Sequence, residues 1–492
     1  MQTRRITLRF SNRSWWASFT AIFLALWSVL WVLSAYLPLS LAFPVWWPHG
    51  GVRFTLTPLS WPYAQALTTL ALAVMLTAAV RTAAHWRTWG GNLLLLLTGL
   101  AAITAANPLT LALAWLSLDV LELITLTLQL QSAEARERLM AAFSARLAGI
   151  LLLVWVSARS PLGFSALPGR WNVLLLLAVA MRLGVLPLHV PFLQDATARR
   201  RGLGTMFRLT APVASLGLLQ EIGLNGFPRP WILPLNLAVL FAGLFAAWLW
   251  LTAADELSGR PFWVLGLAAL SINAALQANA AASTAWGVLM LLAGGVIFLA
   301  SLRDAAGMWA PLLAAMHLLG LPYTLTGGIV HTATVPFLTA AWLIVHLLLA
   351  AGYVRHLWLA HPHQAVTAGE YTAYLLGMVA LLIGAWGIPA RAGWIQTEID
   401  FLHPAAFALA GLLWVILRRR VAWNPERLHT LAGRWLSLDW FYRLIWRGYR
   451  LLSQGAGLMA QALEGEGGLL WMLIILLVLL SILQVGSQVL RP

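Results

Sequence analysis

Residues 181–196 read Met-Arg-Leu-Gly-Val-Leu-Pro-Leu-His-Val-Pro-Phe-Leu-Gln-Asp-Ala, and the reading of the whole chain turns on them. They close an apolar run that begins near residue 171. Pro187 removes a backbone donor and opens a helix at the preceding turn. Freed backbone groups at membrane depth are tolerated only inside protein or beside a wet cavity. Arg182 adds a buried cation, which is a functional hypothesis by default. A second break of the same form lies 135 residues on: Met316-His317 leads to Pro322 as Met181-Arg182 leads to Pro187. Paired interrupted helices in two halves of a transporter point to an ion site at a repeat interface.

The composition agrees with a membrane setting. Of 492 residues, 61% are hydrophobic and 10% charged, with mean hydropathy +0.81. A soluble domain carries about 25% charged residues, so a water-soluble globular protein is excluded. Apolar runs of about 20 residues, the length that crosses a bilayer, recur throughout. A β-barrel would instead show alternating strands of about 10 residues. The chain has no Cys, which rules out disulfides, thiolate-bound clusters and a Cys nucleophile. No Gly-rich phosphate loop or dinucleotide fingerprint occurs. No cofactor is expected.

About fifteen spans can be counted: near 15–37, 62–82, 89–105, 107–130, 140–157, 171–187, 205–222, 232–252, 261–278, 282–302, 308–325, 332–354, 371–390, 400–417 and 467–488. All 31 basic residues are Arg. Alternate loops hold 22 of them on one side, from Arg4 through the Arg418–Arg450 group, against six on the other (Arg53, Arg159, Arg170, Arg229, Arg391 and Arg491). The positive-inside rule then puts the N-terminus in the cytoplasm of a multi-pass plasma (inner) membrane protein. The same bias explains the net charge of +15 without nucleic acid. Many of the 28 Trp sit at span ends, as an interfacial belt does. The N-terminal apolar stretch reads as an uncleaved first helix. Residues 418–466 are expected to be a cytoplasmic connector. Within it Arg443, Arg447 and Arg450 share a helical face suited either to the membrane interface or to a brace across neighbouring helices.

Few ionisable groups fall inside spans. The fourth carries Asp119 and Glu122, three apart and so on one face. The sixth carries Arg182, followed by His189. The seventh carries Arg208, and the eleventh His317, with His331 after the break. Arg146, near the cytoplasmic end of the fifth, reads as a snorkelling side chain. His361 and His363 lack an acidic or Cys partner, so no metal site is expected there.

Taken in order, an Asn-Pro-Leu-Thr helix with acids (from Asn107), a basic residue ahead of Val185–Ala196, and Gly320–His331 resemble the antiporter-like membrane subunits of respiratory complex I, membrane-bound hydrogenases and Mrp-type cation/proton antiporters. The tail 424–448 looks most like Mrp-type D subunits. The resemblance implies an all-α membrane protein of about 14–15 helices with two inverted five-helix repeats and a discontinuous helix in each. Its divisions would be N-terminal helices at 1–105, a first repeat at 106–252, a second repeat and the helices that follow it at 253–417, the connector at 418–466 and a last helix at 467–492. It also implies a proton pathway, here through Asp119, Glu122, Arg182, His189, Arg208, His317 and His331. Partners would be other subunits of a respiratory, hydrogenase or Mrp-like complex, the lipid bilayer and H⁺, with Na⁺ left open.

The chain departs from that family pattern. Arg182 stands where the family has its key lysine, and His331 where it has Lys or Glu. The family's Glu position is Leu116, with Asp119 one turn on, and the next helix's lysine aligns near Ala214. A buried Lys can release a proton, whereas Arg effectively cannot. Two functions follow: a subunit that moves H⁺ through acids and imidazoles while Arg182 sets the field, or a non-conducting structural subunit. No catalysis by the chain alone is expected, although it would fit an NADH:quinone oxidoreductase-like translocase. A membrane glycosyltransferase is a third class. It would usually need an acid-bearing outer loop, and the loop 38–61 has no Asp or Glu.

Overall fold

The computed structural model describes residues 2–43, 51–80, 86–127, 133–159, 163–164, 167–189, 201–302, 308–321, 323–327, 336–358, 367–394 and a few between 447 and 454. The chain divides into a unit Met1–Gly433 and a unit Arg434–Pro492. In the second unit, Ser453 Oγ donates to the Arg450 carbonyl at 3.0 Å. All that follows concerns the first.

The elements are α1 (Gln2–Leu33), β1 (Leu39–Ala42), β2 (Arg53–Leu56), α2 (Ser60–Thr77), α3 (Trp86–Ile103), α4 (Pro108–Thr127), α5 (Ala133–Arg159), α6 (Arg170–Leu183), α7 (Leu203–Asn225), α8 (Arg229–Thr252), α9 (Glu256–Leu276), α10 (Ala280–Leu299), α11 (Trp309–Leu318), α12 (Pro336–Leu357) and α13 (Ala368–Ala392). The protein is an all-α membrane protein, relieved by one antiparallel hairpin pairing Leu39 with Leu56 and Ala42 with Arg53. Among the described residues, nine helices are long and apolar enough to cross a bilayer. The centre is α2, α9 and α10, whose side chains are buried nearly throughout. α1 lies outside, with Trp15, Ile22, Leu24, Val29 and Val32 exposed as on a lipid-facing helix.

Local chemistry sets the boundaries. Asp255 caps α9, accepting from Leu257 and Ser258 N–H, both at 2.8 Å. Thr367 and Glu370 form a capping box on α13. The first break falls one turn before Pro187, where the proline was expected to open the helix. α6 stops at Leu183 because Gly184 turns left-handed (φ 74°), and Val185 N–H bonds the Ala180 carbonyl at 2.8 Å. That 6→1 bond is the Schellman closure, which Gly makes without a Cβ clash. The second break is similar: α11 ends at Leu318 and Gly320 has φ 64°. Pro322, His331, His361, His363 and most of the connector lie outside the described residues.

A buried five-charge cluster as candidate functional site

In both breaks the ionisable residue is the last but one of its helix: Arg182 in α6 and His317 in α11. Around Arg182 the bundle gathers α4, α5 and α7. Arg182 grips Asp119 with two parallel bonds, Nη1 to Oδ2 at 2.6 Å and Nη2 to Oδ1 at 2.9 Å. Its Nε donates to Ser215 Oγ of α7 at 3.1 Å. The guanidinium also lies over the ring of Trp115, 4.4 Å from the centroid. Trp115, one turn before Asp119 on α4, is fixed by its Nε1–H bond to the Ala214 carbonyl at 3.1 Å. One cation is thus held by a bidentate carboxylate, a hydroxyl and an aromatic face.

Arg146 does not snorkel. It is 1% exposed, its Nη1 donates to Glu122 Oε2 at 2.6 Å, and the same nitrogen is 3.4 Å from Asp119 Oδ1. The sequence placed it near a span end, but α5 begins at Ala133, leaving Arg146 in the helix interior opposite the acids. Arg208 of α7, buried, interacts with the charges of Glu122 and Arg146. Asp119 and Glu122 do share a face, and Arg146 spans both. Three guanidinium groups and two carboxylates leave the cluster one positive charge in excess. Sequence reasoning missed Arg146, Ser215, Trp115 and Gly149. A Cβ on Gly149 would lie 2.7 Å from the Ala178 carbonyl and 2.9 Å from Arg182 Cγ, so glycine lets α5 and α6 approach at Arg182. The one legible signal was the helical spacing Trp115, Asp119, Glu122.

The histidines are placed differently. His189, 1% exposed, puts Nδ1 2.7 Å from the Pro187 carbonyl. A carbonyl only accepts, so Nδ1 carries the hydrogen. The ring ties down the turn after α6. His317 Nδ1 accepts from Leu325 N–H at 3.0 Å, which leaves the hydrogen on Nε2. Its ring meets Trp386 edge-on, with centroids 4.3 Å apart. Among the described residues no group of three metal-ligating side chains occurs.

No protein-family model and no curated protein matches the chain. Solved structures do. A chain of the Mrp complex from a Dietzia species aligns with TM-score 0.65 and 16% identity over 96% of this chain and 60% of that one. This chain therefore spans less than two thirds of the Mrp chain it matches. A chain of an archaeal respiratory complex, the membrane-bound sulfane sulfur reductase, aligns with TM-score 0.64 and 14% identity over 94% of each. A chain of respiratory complex I from Thermus thermophilus aligns with TM-score 0.55 and 20% identity over 80% of this chain and 99% of that one. The chain shares its fold with these chains of the Mrp complex, the sulfane sulfur reductase and respiratory complex I.

Proposed function

We propose that this chain is a membrane subunit of a multisubunit proton-translocating or cation/proton antiport complex, and that H⁺ moves through it along a mid-membrane polar axis. The observation that carries the reading is the buried cluster of Asp119, Glu122, Arg146, Arg182 and Arg208 beside a helix break. Replacing buried ion pairs with well-packed apolar groups is often neutral or stabilising, by about 1–4 kcal/mol. Stability therefore gives no reason to keep five charges at membrane depth, whereas an ion path does. The fold supports the same reading, since chains sharing it belong to the Mrp complex and to respiratory complexes. Partners on this reading are further membrane subunits of such a complex, with the first repeat at 106–252 and the second repeat and its following helices at 253–417. The N-terminus faces the cytoplasm across the plasma membrane, as the Arg distribution indicates.

One observation favours a second reading, a non-conducting structural subunit. Both carboxylates of the cluster are bonded to Arg, which does not release its proton. Proteoliposomes of the assembled complex separate the two. On the conducting reading, His331→Ala abolishes proton movement without disturbing assembly, and Asp119→Asn abolishes it in the complex that still assembles. On the structural reading, both variants move protons as wild type does, and Arg182→Ala impairs assembly.

A further inference from the structure

At the end of the bundle marked by the α9–α10 turn, which the Arg distribution assigns to the outside, four helices bring uncharged polar groups to one level. A Cβ placed on Gly223 of α7 would lie 3.6 Å from the Cα atoms of both Ala275 and Ala280, so α7, α9 and α10 meet there. α7 and α9 run toward that meeting point, and α10 runs away from it. One turn deeper on each helix stand Gln220, Ser271 and Ser283. Tyr63 of α2 reaches the same place, and Gly287 makes room for it, since a Cβ at 287 would collide with the Tyr63 hydroxyl. All four polar side chains are at most 1% exposed. The connections at this end of α2, α7, α9 and α10 all fall among the described residues.

The hydrogens at this level do not balance. The Ser283 carbonyl accepts from Ser271 Oγ at 2.8 Å and from the Tyr63 hydroxyl at 3.3 Å. Each of those hydroxyls owns one hydrogen, so both are spent. The contact between Ser271 Oγ and Ser283 Oγ, 3.0 Å, is then made by the Ser283 hydrogen. Ser283 Oγ is left able to accept, with no donor for it among the described residues. Gln220 is the reverse case. Its Nε2 has two hydrogens to give and no hydrogen-bond partner among the described residues. A buried donor left so costs about 1–3 kcal/mol. A donor and an acceptor at one level, without a direct bond, make the arrangement that a buried water fills. The midplane cluster is close by on the same helix. Ser215, which accepts from Arg182, stands five residues before Gln220, roughly 7.5 Å along α7.

Resting on the conducting reading above, we infer that this junction holds a buried water between Gln220 Nε2 and Ser283 Oγ, and that H⁺ crosses the outer part of the membrane through it. A proton reaching the water from the midplane sends one of the water's own onto Ser283 Oγ. Ser283 passes its hydrogen to Ser271 Oγ, and Ser271 releases its own toward the α9–α10 turn. Each oxygen gains one proton and loses one, so none stays ionised. Gln220 is a positioning residue, because its amide holds the water and carries no proton.

The test uses Ser283→Ala and Gln220→Leu in proteoliposomes of the whole complex, read by a pH-sensitive dye. Each variant removes one partner of the water. The expected result is an assembled complex whose proton movement is reduced to that of empty vesicles. Infrared spectra separate this from a packing defect: an O–H stretch that shifts in H₂¹⁸O, the mark of a buried water, is expected in wild type and lost in Gln220→Leu. Wild-type movement by either variant overturns the inference. If His331→Ala also behaves as wild type, the conducting reading falls with it. If His331→Ala stops movement, this inference falls alone. Should the variants fail to assemble, a cryo-electron map of the wild-type complex that shows ordered water decides. Density within hydrogen-bond reach of both Gln220 Nε2 and Ser283 Oγ is expected, and an empty site overturns the assignment.

Discussion

Charge bookkeeping in the cluster makes an unequal prediction for the two partners of its strongest pair. Asp119→Asn raises the excess from one positive charge to two and replaces an acceptor that takes two guanidinium bonds at 2.6 and 2.9 Å. Arg182 is left with Ser215 and the Trp115 face, and Arg146 loses its 3.4 Å contact. Breaking a buried pair from one side costs about 3–5 kcal/mol, and the Asp119→Asn substitution belongs at the upper end because two cations lose charge compensation. Arg182→Met instead brings the cluster to neutrality, and Asp119 keeps Arg146 nearby. That substitution is expected at or below the lower end of the same range, about 3 kcal/mol. The double variant removes both charges and is expected to cost about 0.5–3 kcal/mol less than the sum, the coupling of partners in one network. The assay is unfolding of the purified complex in mixed detergent–lipid micelles for wild type, both singles and the double. Additive losses, or Arg182→Met costing more than Asp119→Asn, would refute the claim that Arg146 shares the burden of Asp119.

Two further substitutions probe the packing around the site. Gly149→Ala gains about 1 kcal/mol of helix propensity. Against that, its Cβ meets a backbone oxygen at 2.7 Å, and overpacking of about 1–3 kcal/mol prevails. A net loss of thermal stability is expected with no change of charge, and a more stable protein would show that α5 and α6 do not need the close approach. Trp115→Phe keeps an aromatic face for Arg182 but loses the bond to the Ala214 carbonyl. About 1–2 kcal/mol of destabilisation is expected in the same unfolding assay, and a neutral result would mean that the indole does not hold α4 against α7.

The sequence revealed the architecture through quantities that survive without neighbours: run length, charge scarcity and the loop bias of Arg. It also marked Asp119, Glu122 and Arg182, because an ionisable residue in an apolar run stands out wherever it points. Arg146 was misread because its meaning depends on where α5 begins. A helix of 27 residues moves it from an end to the interior, and Ala-Glu-Ala-Arg-Glu-Arg at 133–138 looks like loop when read by hydropathy alone. Gly149 and Ser215 carry no signal in one dimension, because their roles are clearances and bonds to a residue on another helix. The break at the turn before Pro187 was seen, although the span was counted on to 187; Gly184 marks where the helix has already turned.

On the conducting reading, the two breaks divide the labour. At the first, both acids of the cluster are tied to Arg, so it can change its charge only by protonating a carboxylate against a guanidinium 2.6 Å away. Its resting state is a standing positive excess, which opposes any further cation nearby and falls off slowly in a medium of low dielectric. At the second, the groups are imidazoles, which can gain and release a proton where a guanidinium cannot. On the conducting reading, a chain built this way works by titrating its second half in the steady field of its first. Proton movement should then follow an imidazole-like pH profile in wild type. Lowering the field with Arg182→Met should shift that profile to higher pH, because a weaker positive potential makes protonating an imidazole easier. A profile unmoved by Arg182→Met would disconnect the halves and leave the first as structure alone.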